Sequence, residues 1–154
     1  MIKYVNEELK ISIEVPEKYT FVDKKYYDKI GLDKTAQEQT VFMFIDTKST
    51  SGENFNVTRD AVYASDEEAI TKGIDANVEN LTKQGYSIVS KENFVSKQGK
   101  NCVKIITLYD NKVYVNLLFT TLDGLLLCLG YANAELNVET EMVFEQILST
   151  IAKA

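Results

Sequence analysis

The stretch from Asn101 to Ala132 limits the possible folds of this chain more than any other. It reads NCVKIITLYD-NK-VYVNLLFTTLD-G-LLLCLGYA, three apolar runs parted by two turn signals. So few residues between the runs leave room only for tight hairpins, which predicts a three-stranded antiparallel meander in the middle of a sheet. The first turn falls on Asp110-Asn111, or one residue later on Asn111-Lys112; the second falls on Asp123-Gly124. Both dipeptide types tolerate the positive φ that two-residue hairpins need. In the second run Val113, Val115, Leu117 and Phe119 share one face, and Tyr114, Asn116, Leu118 and Thr120 the other. The third run, Leu125 to Tyr131, is apolar on both faces and therefore needs cover on both sides. The expected architecture is α+β, an antiparallel sheet flanked by helices on both faces in an α/β/α sandwich.

The same register places the two cysteines. With two-residue turns, Cys102 and Cys128 both lie near Phe119, one on each neighbouring strand. Two strand spacings separate their Cα atoms by about 10 Å, beyond the roughly 7 Å that a disulfide can span. Both are expected to be reduced, buried thiols that act as small hydrophobes. The chain has no C-x-x-C spacing and no histidine, so no metal site is expected from them.

Composition narrows the function classes. At 154 residues, 45% of them hydrophobic, the chain suits one domain over residues 1–154 with a sizeable core. The net charge is −6, and Arg59 is the one arginine among 17 basic residues. Nucleic-acid binders carry a basic stripe rich in arginine, so no nucleic-acid partner is expected. Without histidine or tryptophan, the commonest acid–base group and the commonest zinc ligand are missing. No catalytic, cofactor-binding or metal-binding residues stand out, and the chain does not read as an enzyme. No apolar run approaches the roughly 18 residues of a membrane helix. The start, MIKYVNEELK, has no apolar core of a secretory signal. As written the chain reads as cytoplasmic; an extracellular lipoprotein is the alternative where an export signal has been removed.

The remaining segments complete the layers. Residues 1–15 hold two short strand candidates around an Asn6-Glu7-Glu8 turn; in the second, Leu9, Ile11, Ile13 and Val15 alternate with polar residues, predicting a half-buried strand that Pro16 ends. Tyr19 to Ile30, YTFVDKKYYDKI, reads as a strand and a short helical turn over a sheet edge. It also reads as a partner surface, because tyrosines bury large area at small entropic cost. Residues 31–39 show no period and are expected to be loop. Thr40–Thr47 and Phe55–Arg59 predict a strand pair around the polar loop 48–52. Tyr86 to Ser96 predicts one bent strand, and Gln98-Gly99-Lys100 the turn into the meander. The sequons at Asn56 and Asn80 are taken as chance.

Two helices are expected. Ser65-Asp66-Glu67-Glu68 forms a capping box, whose acids, together with Asp60, suit the helix dipole better than a metal. Ile70, Ile74, Val78 and Leu81 make one apolar stripe, and Gly85 ends the helix. Asn133 or Asn137 caps a final helix through about Ala152. Its core stripe is Val143, Ile147, Leu148 and Ile151, with Val138, Met142 and Phe144 beside it. Glu135, Glu139, Glu141 and Glu145 make it acidic, and the i,i+4 pairs are mildly repulsive. This face is either solvated or a docking face for a basic partner.

Several segments together resemble the PsbP-like superfamily. They are ISIEVPEKY (Ile11 to Tyr19), the N-x-N-V strand (Asn54 to Val57), the KQGKN turn (Lys97 to Asn101) and FEQILSTI (Phe144 to Ile151). The superfamily includes the photosystem II extrinsic subunit, Mog-type Ran-binding factors, bacterial DcrB-like lipoproteins and Eag-type chaperones. The resemblance covers nearly the whole chain. Tyr19 stands where many relatives have tryptophan, and no binding residue of any member maps onto a position here. What the resemblance implies is a noncatalytic protein-binding, adaptor or chaperone-like domain with no cofactor. The candidate partner surface is Tyr19, Phe21, Tyr26 and Tyr27, or the acidic set Glu135, Glu139, Glu141 and Glu145. The competing expectation is a carrier of a small apolar ligand, with a pocket between sheet and helix lined by Phe119 and Leu127. The partner's identity and the oligomeric state are not legible in the sequence.

Overall fold

The computed structural model describes residues 1–60 and 67–154, with side chains at 67–69 also left out. Its centre is the predicted meander. Strands β1 (Ile2–Asn6) and β2 (Ile11–Val15) open the chain, followed by β3 (Thr20–Phe21) and a 3-10 turn at Lys24–Tyr26. Then come α1 (Lys34–Gln39), β4 (Thr40–Ile45), β5 (Asn54–Asp60), α2 (Glu67–Lys83) and β6 (Tyr86–Val95). The meander is β7 (Asn101–Tyr109), β8 (Val113–Leu122) and β9 (Leu125–Asn133); α3 (Val138–Ser149) and β10 (Ala152–Lys153) close the fold. Seven strands form one antiparallel sheet in the order β3-β4-β5-β9-β8-β7-β6, so β9 and β8 are central.

The apolarity of β9 on both sides has the predicted consequence. On one face Leu118, Leu127, Leu129 and Tyr131 pack under α3 residues Phe144, Ile147 and Leu148. On the other, Ile105, Phe119 and Leu126 pack under Ile74 of α2, with Ile70 and Val78 beside it. The Asn77 amide of α2 donates to the Asp60 carboxylate at 2.7 Å and ties the helix to the end of β5. Gly85, at φ +96°, ends α2 in the left-handed region where a side chain would be strained. The capping box at Ser65 to Glu68 lies outside the described residues.

Five expectations are corrected. The layer over the α3 face also holds a second sheet, β1-β2-β10, whose Ile11, Ile13 and Val15 are buried in the same core as Phe42, Phe44 and Phe55. The last helix therefore stops at Ser149, and Ala152 and Lys153 pair with Ser12 and Ile11. Residues 34–39 are helical because Asp33 caps them, accepting the Ala36 N–H at 2.7 Å. The first meander loop holds three residues, since Tyr109 pairs with Val113, and Asp110 and Asn111 take φ near +54°. That extra residue shifts the register, and Cys102 comes opposite Thr120 on the α3 face while Cys128 faces α2 beside Phe119. Both cysteines are free; Cys102 is buried and Cys128 half-buried.

Finally, the core phase of α3 is turned. Phe144 is 1% exposed and central, whereas Val143 is 39% exposed. Phe144 stacks on Tyr131 with centroids 3.9 Å apart and meets Phe55 edge-on at 5.2 Å.

Candidate functional site

The candidate surface residues divide sharply. Tyr19 is buried against Phe55, its ring edge-on at 4.9 Å, and its hydroxyl donates to Glu53 at 2.9 Å. Burial, and then the Glu53 carboxylate, push that hydroxyl above its ordinary pKa. Tyr27 is buried as well. Neither side chain can reach a partner from this position, which removes both from a contact surface. Phe21 and Tyr26 remain exposed, Phe21 against Tyr4 at 5.6 Å and Tyr26 beneath the ammonium groups of Lys25 and Lys29.

The acidic helix divides too. Glu141 and Glu145 each lie 3.1 Å from Lys104, which rises from β7 beneath them, and Glu92 approaches the same ammonium at 3.8 Å. The i,i+4 pair that looks repulsive in sequence is therefore a two-pronged clamp on a lysine only 12% exposed. Burial by itself lowers the Lys104 pKa, but the hydrogen bonds to Glu141 and then Glu145 outweigh it and hold the group above its ordinary value. Nearby, burial and then the same two carboxylates push the Tyr131 hydroxyl up. Among the described residues that hydroxyl and Asn116 Oδ1 have no hydrogen-bond partner. Glu135 and Glu139 stay exposed.

What faces outward on α3 is apolar as much as acidic. Val138 is 71% and Met142 62% exposed, and Val95, at the end of β6, is 66% exposed. Between the outer side of α3 and the end of β6 runs a cleft of about 450 Å³. Its walls are Phe94 and Val95 on one side and Met142 and Val143 on the other; Glu139 and Lys97 are among its polar residues. Sequence reading assigned Val138, Met142 and Val143 to the core or its margin and took Val95 only as an apolar residue of the bent strand, with no surface role. The usable signal was the surplus: seven apolar side chains between Val138 and Ile151 exceed what one face of a three-turn helix can bury.

Reactive groups do not converge. Cys102 and Cys128 lie on opposite faces of the sheet, and burial raises both thiols, Cys128 up to about 12. No cluster of three or more potential metal ligands occurs among the described residues. Phe119 and Leu127, expected to line one ligand pocket, point to opposite faces and are buried in separate clusters, so no single pocket can use both. No described helix is long and apolar enough to cross a membrane.

The architecture matches solved structures across nearly the full chain. Cyanobacterial PsbP (CyanoP) from Synechocystis superposes with a TM-score of 0.65 at 16% identity, over 99% of this chain and 92% of that one. The Saccharomyces cerevisiae Ran-binding protein Mog1p gives 0.59 at 10% identity, over 99% and 94%. The fold is PsbP/Mog-like. A Pseudomonas aeruginosa protein of unknown function, described as a putative regulator, gives 0.56 at 15% identity over 73% of this chain and 81% of that one. Neither a family model nor a curated protein sequence matches the chain. In this PsbP/Mog-like fold two of the segments that carry the resemblance are largely core, whereas the turn from Lys97 to Asn101 lies at the surface. Ile11, Ile13, Val15 and Tyr19 are buried, as are Phe144, Ile147, Leu148 and Ile151. Those two motifs thus describe how the layers pack, and the outward cleft is built from residues outside that core set.

Proposed function

We propose that this chain is a noncatalytic protein-binding domain of the adaptor type, and that it engages its partner through the cleft between α3 and the end of β6. The observation that carries the reading is the cleft itself: Val95 at the end of β6 and Met142 on α3 hold exposed apolar side chains on its two walls, with Val143 beside them. Exposed apolar groups rimmed by charge are the common form of a protein contact surface. The chain has no histidine to activate either thiol, and the two cysteines lie on opposite faces of the sheet, which weighs against a cysteine-based catalytic alternative. That one structural relative is a Ran-binding protein is consistent with binding as the role, but the fold does not choose a partner. A net charge of −6 disfavours nucleic acid.

The test is affinity capture from the native host with the wild-type chain and with a Val95→Thr, Met142→Gln double variant. Both changes keep side-chain volume and local backbone preference while making the cleft polar. A partner held by the wild type and lost by the double variant, with Tyr26→Ala retaining it, supports the cleft. Equal recovery by the double variant places the contact elsewhere on the protein.

A further inference from the structure

Taking the cleft as the partner surface, we infer that its occupant is an amphipathic helix with segregated charges, lying antiparallel to α3 with its acidic N-terminal end beside Lys97 and its basic C-terminal end beside Glu139. The cleft follows α3 lengthwise. Glu139, Met142, Val143, Gln146 and Ser149 line it at spacings of three, one, three and three, a ridge along one side of the helix. At 1.5 Å per residue the 12 residues of α3 offer about 18 Å, a match for about three turns of a second helix. The apolar pair Met142 and Val143 occupies the middle of that length, opposite Phe94 and Val95. Stripe residues of a helix at i, i+3, i+4 and i+7 fill such a groove.

Charge sets the direction. Glu139 lies at the α3 N-terminal end and makes no ion pair among the described residues, whereas Glu145 is already committed to Lys104. At the other end, Lys97 makes no ion pair among the described residues and is shared with a neighbouring depression beside Ser149, which also holds Lys3, the acid Glu14, and Lys153, the last paired with Asp123 at 3.0 Å. The rim is therefore acidic at one end and basic at the other. An antiparallel helix with glutamates in its first turns and lysines in its last complements both ends. The same distribution suits its own dipole.

An extended strand added to β6 fits less well. The edge carries a bulge between Ile88 and Ser90, and Lys91 and Glu92 are engaged with Asp75 and Lys104. An anionic membrane is opposed by the net charge.

The experiment uses the full chain and two labelled synthetic peptides of about 18 residues with identical leucine spacing. One has glutamates in its N-terminal half and lysines in its C-terminal half; the other interleaves the same residues. Fluorescence anisotropy is expected to show the segregated peptide binding about tenfold more tightly, with the preference falling as salt rises. NMR shifts are expected at Val95 and Met142. Neutralising both ends with Lys97→Gln and Glu139→Gln is expected to erase the preference without changing the melting temperature. Equal binding of the two peptides, shifts elsewhere, or a preference that survives the neutralisation overturns the helix inference. If host capture still depends on Val95 and Met142 in that case, the partner surface stands and only its occupant was misjudged. If capture ignores the Val95→Thr, Met142→Gln variant, the surface fails first and this inference falls with it.

Discussion

Lys104 on β7 and Glu141 on α3 form an ion pair of 3.1 Å between side chains 12% and 15% exposed, joining sheet to helix beside the stacked Tyr131 and Phe144 rings. Removing the cation leaves Glu141 and Glu145 close together and short of solvent. Lys104→Met is therefore expected to destabilise the protein by about 2 kcal/mol, below the full figure for a buried pair because Glu145 is 30% exposed. Urea unfolding measures this. The folded-state pKa of Lys104 is raised, so its contribution is complete below the unfolded value near ~10.4 and lost as pH climbs through the folded value. On the alkaline side the stability gap between wild type and Lys104→Met should accordingly hold up to about pH 10.4 and narrow above it. A gap that narrows between about pH 8 and 9.5 would contradict this assignment.

Phe144 and Val143 are neighbours in the chain with opposite fates. Phe144 touches the rings of Tyr131, Phe55 and Tyr19, while Val143 faces the open cleft. Phe144→Ala is expected to cost about 3–5 kcal/mol, and Val143→Ala well under about 1 kcal/mol. Thermal unfolding of the two variants checks the helix phase directly. Comparable losses would mean that α3 is rotated from the orientation described here.

That helix also shows where sequence reading reaches its limit. The meander was legible because Asp123-Gly124 admits one tight turn and because β9 is apolar on both sides, which demands two covering layers. The Asp110 turn tolerates several loop lengths, and the extra residue moved Cys102 to the other face of the sheet. In α3, local periodicity offers two overlapping arcs, one through Val143 and one through Phe144. The choice is made by the aromatic rings on β5 and β9, distant in sequence. Lys104 answers Glu141 across 37 residues, so the repulsion inferred from helix spacing had no visible counterpart. The aromatic density of Tyr19 to Tyr27 marked an important segment but carried no information on which rings point inward. The small second sheet escaped notice because β10 is two residues long and follows a strong helical pattern.

The two thiols are expected to be slow and independent. Burial raises both, and at about 12 the Cys128 thiol is ionised in about one molecule in ten thousand at pH 8. Labelling with a disulfide reagent in native buffer should be more than about a hundredfold slower than for a free thiol and should accelerate in urea. Mild oxidation should leave both thiols free to titrate once the protein is unfolded in urea, because the sulfurs face different layers and cannot pair. A rapid intramolecular disulfide would overturn the β7–β8 register.

Gly130 on β9 pairs with Asn56 on β5, and a Cβ at Gly130 would stand 3.1 Å from Asn56 Oδ1 and 3.5 Å from Leu117 Cδ2. Its φ is not in the left-handed region, so space alone makes glycine suitable there. In a central strand alanine would ordinarily gain a few tenths of a kcal/mol to about 1 kcal/mol over glycine. Here the clash should reverse that sign, and Gly130→Ala is expected to destabilise by about 1 kcal/mol. Truncating the obstructing amide should restore the ordinary preference, so Gly130→Ala in an Asn56→Ala background should be neutral or stabilising. A double-mutant cycle by urea unfolding then gives a coupling of about 1–2 kcal/mol. Additive single effects would mean that the Asn56 side chain does not lie over Gly130 in solution.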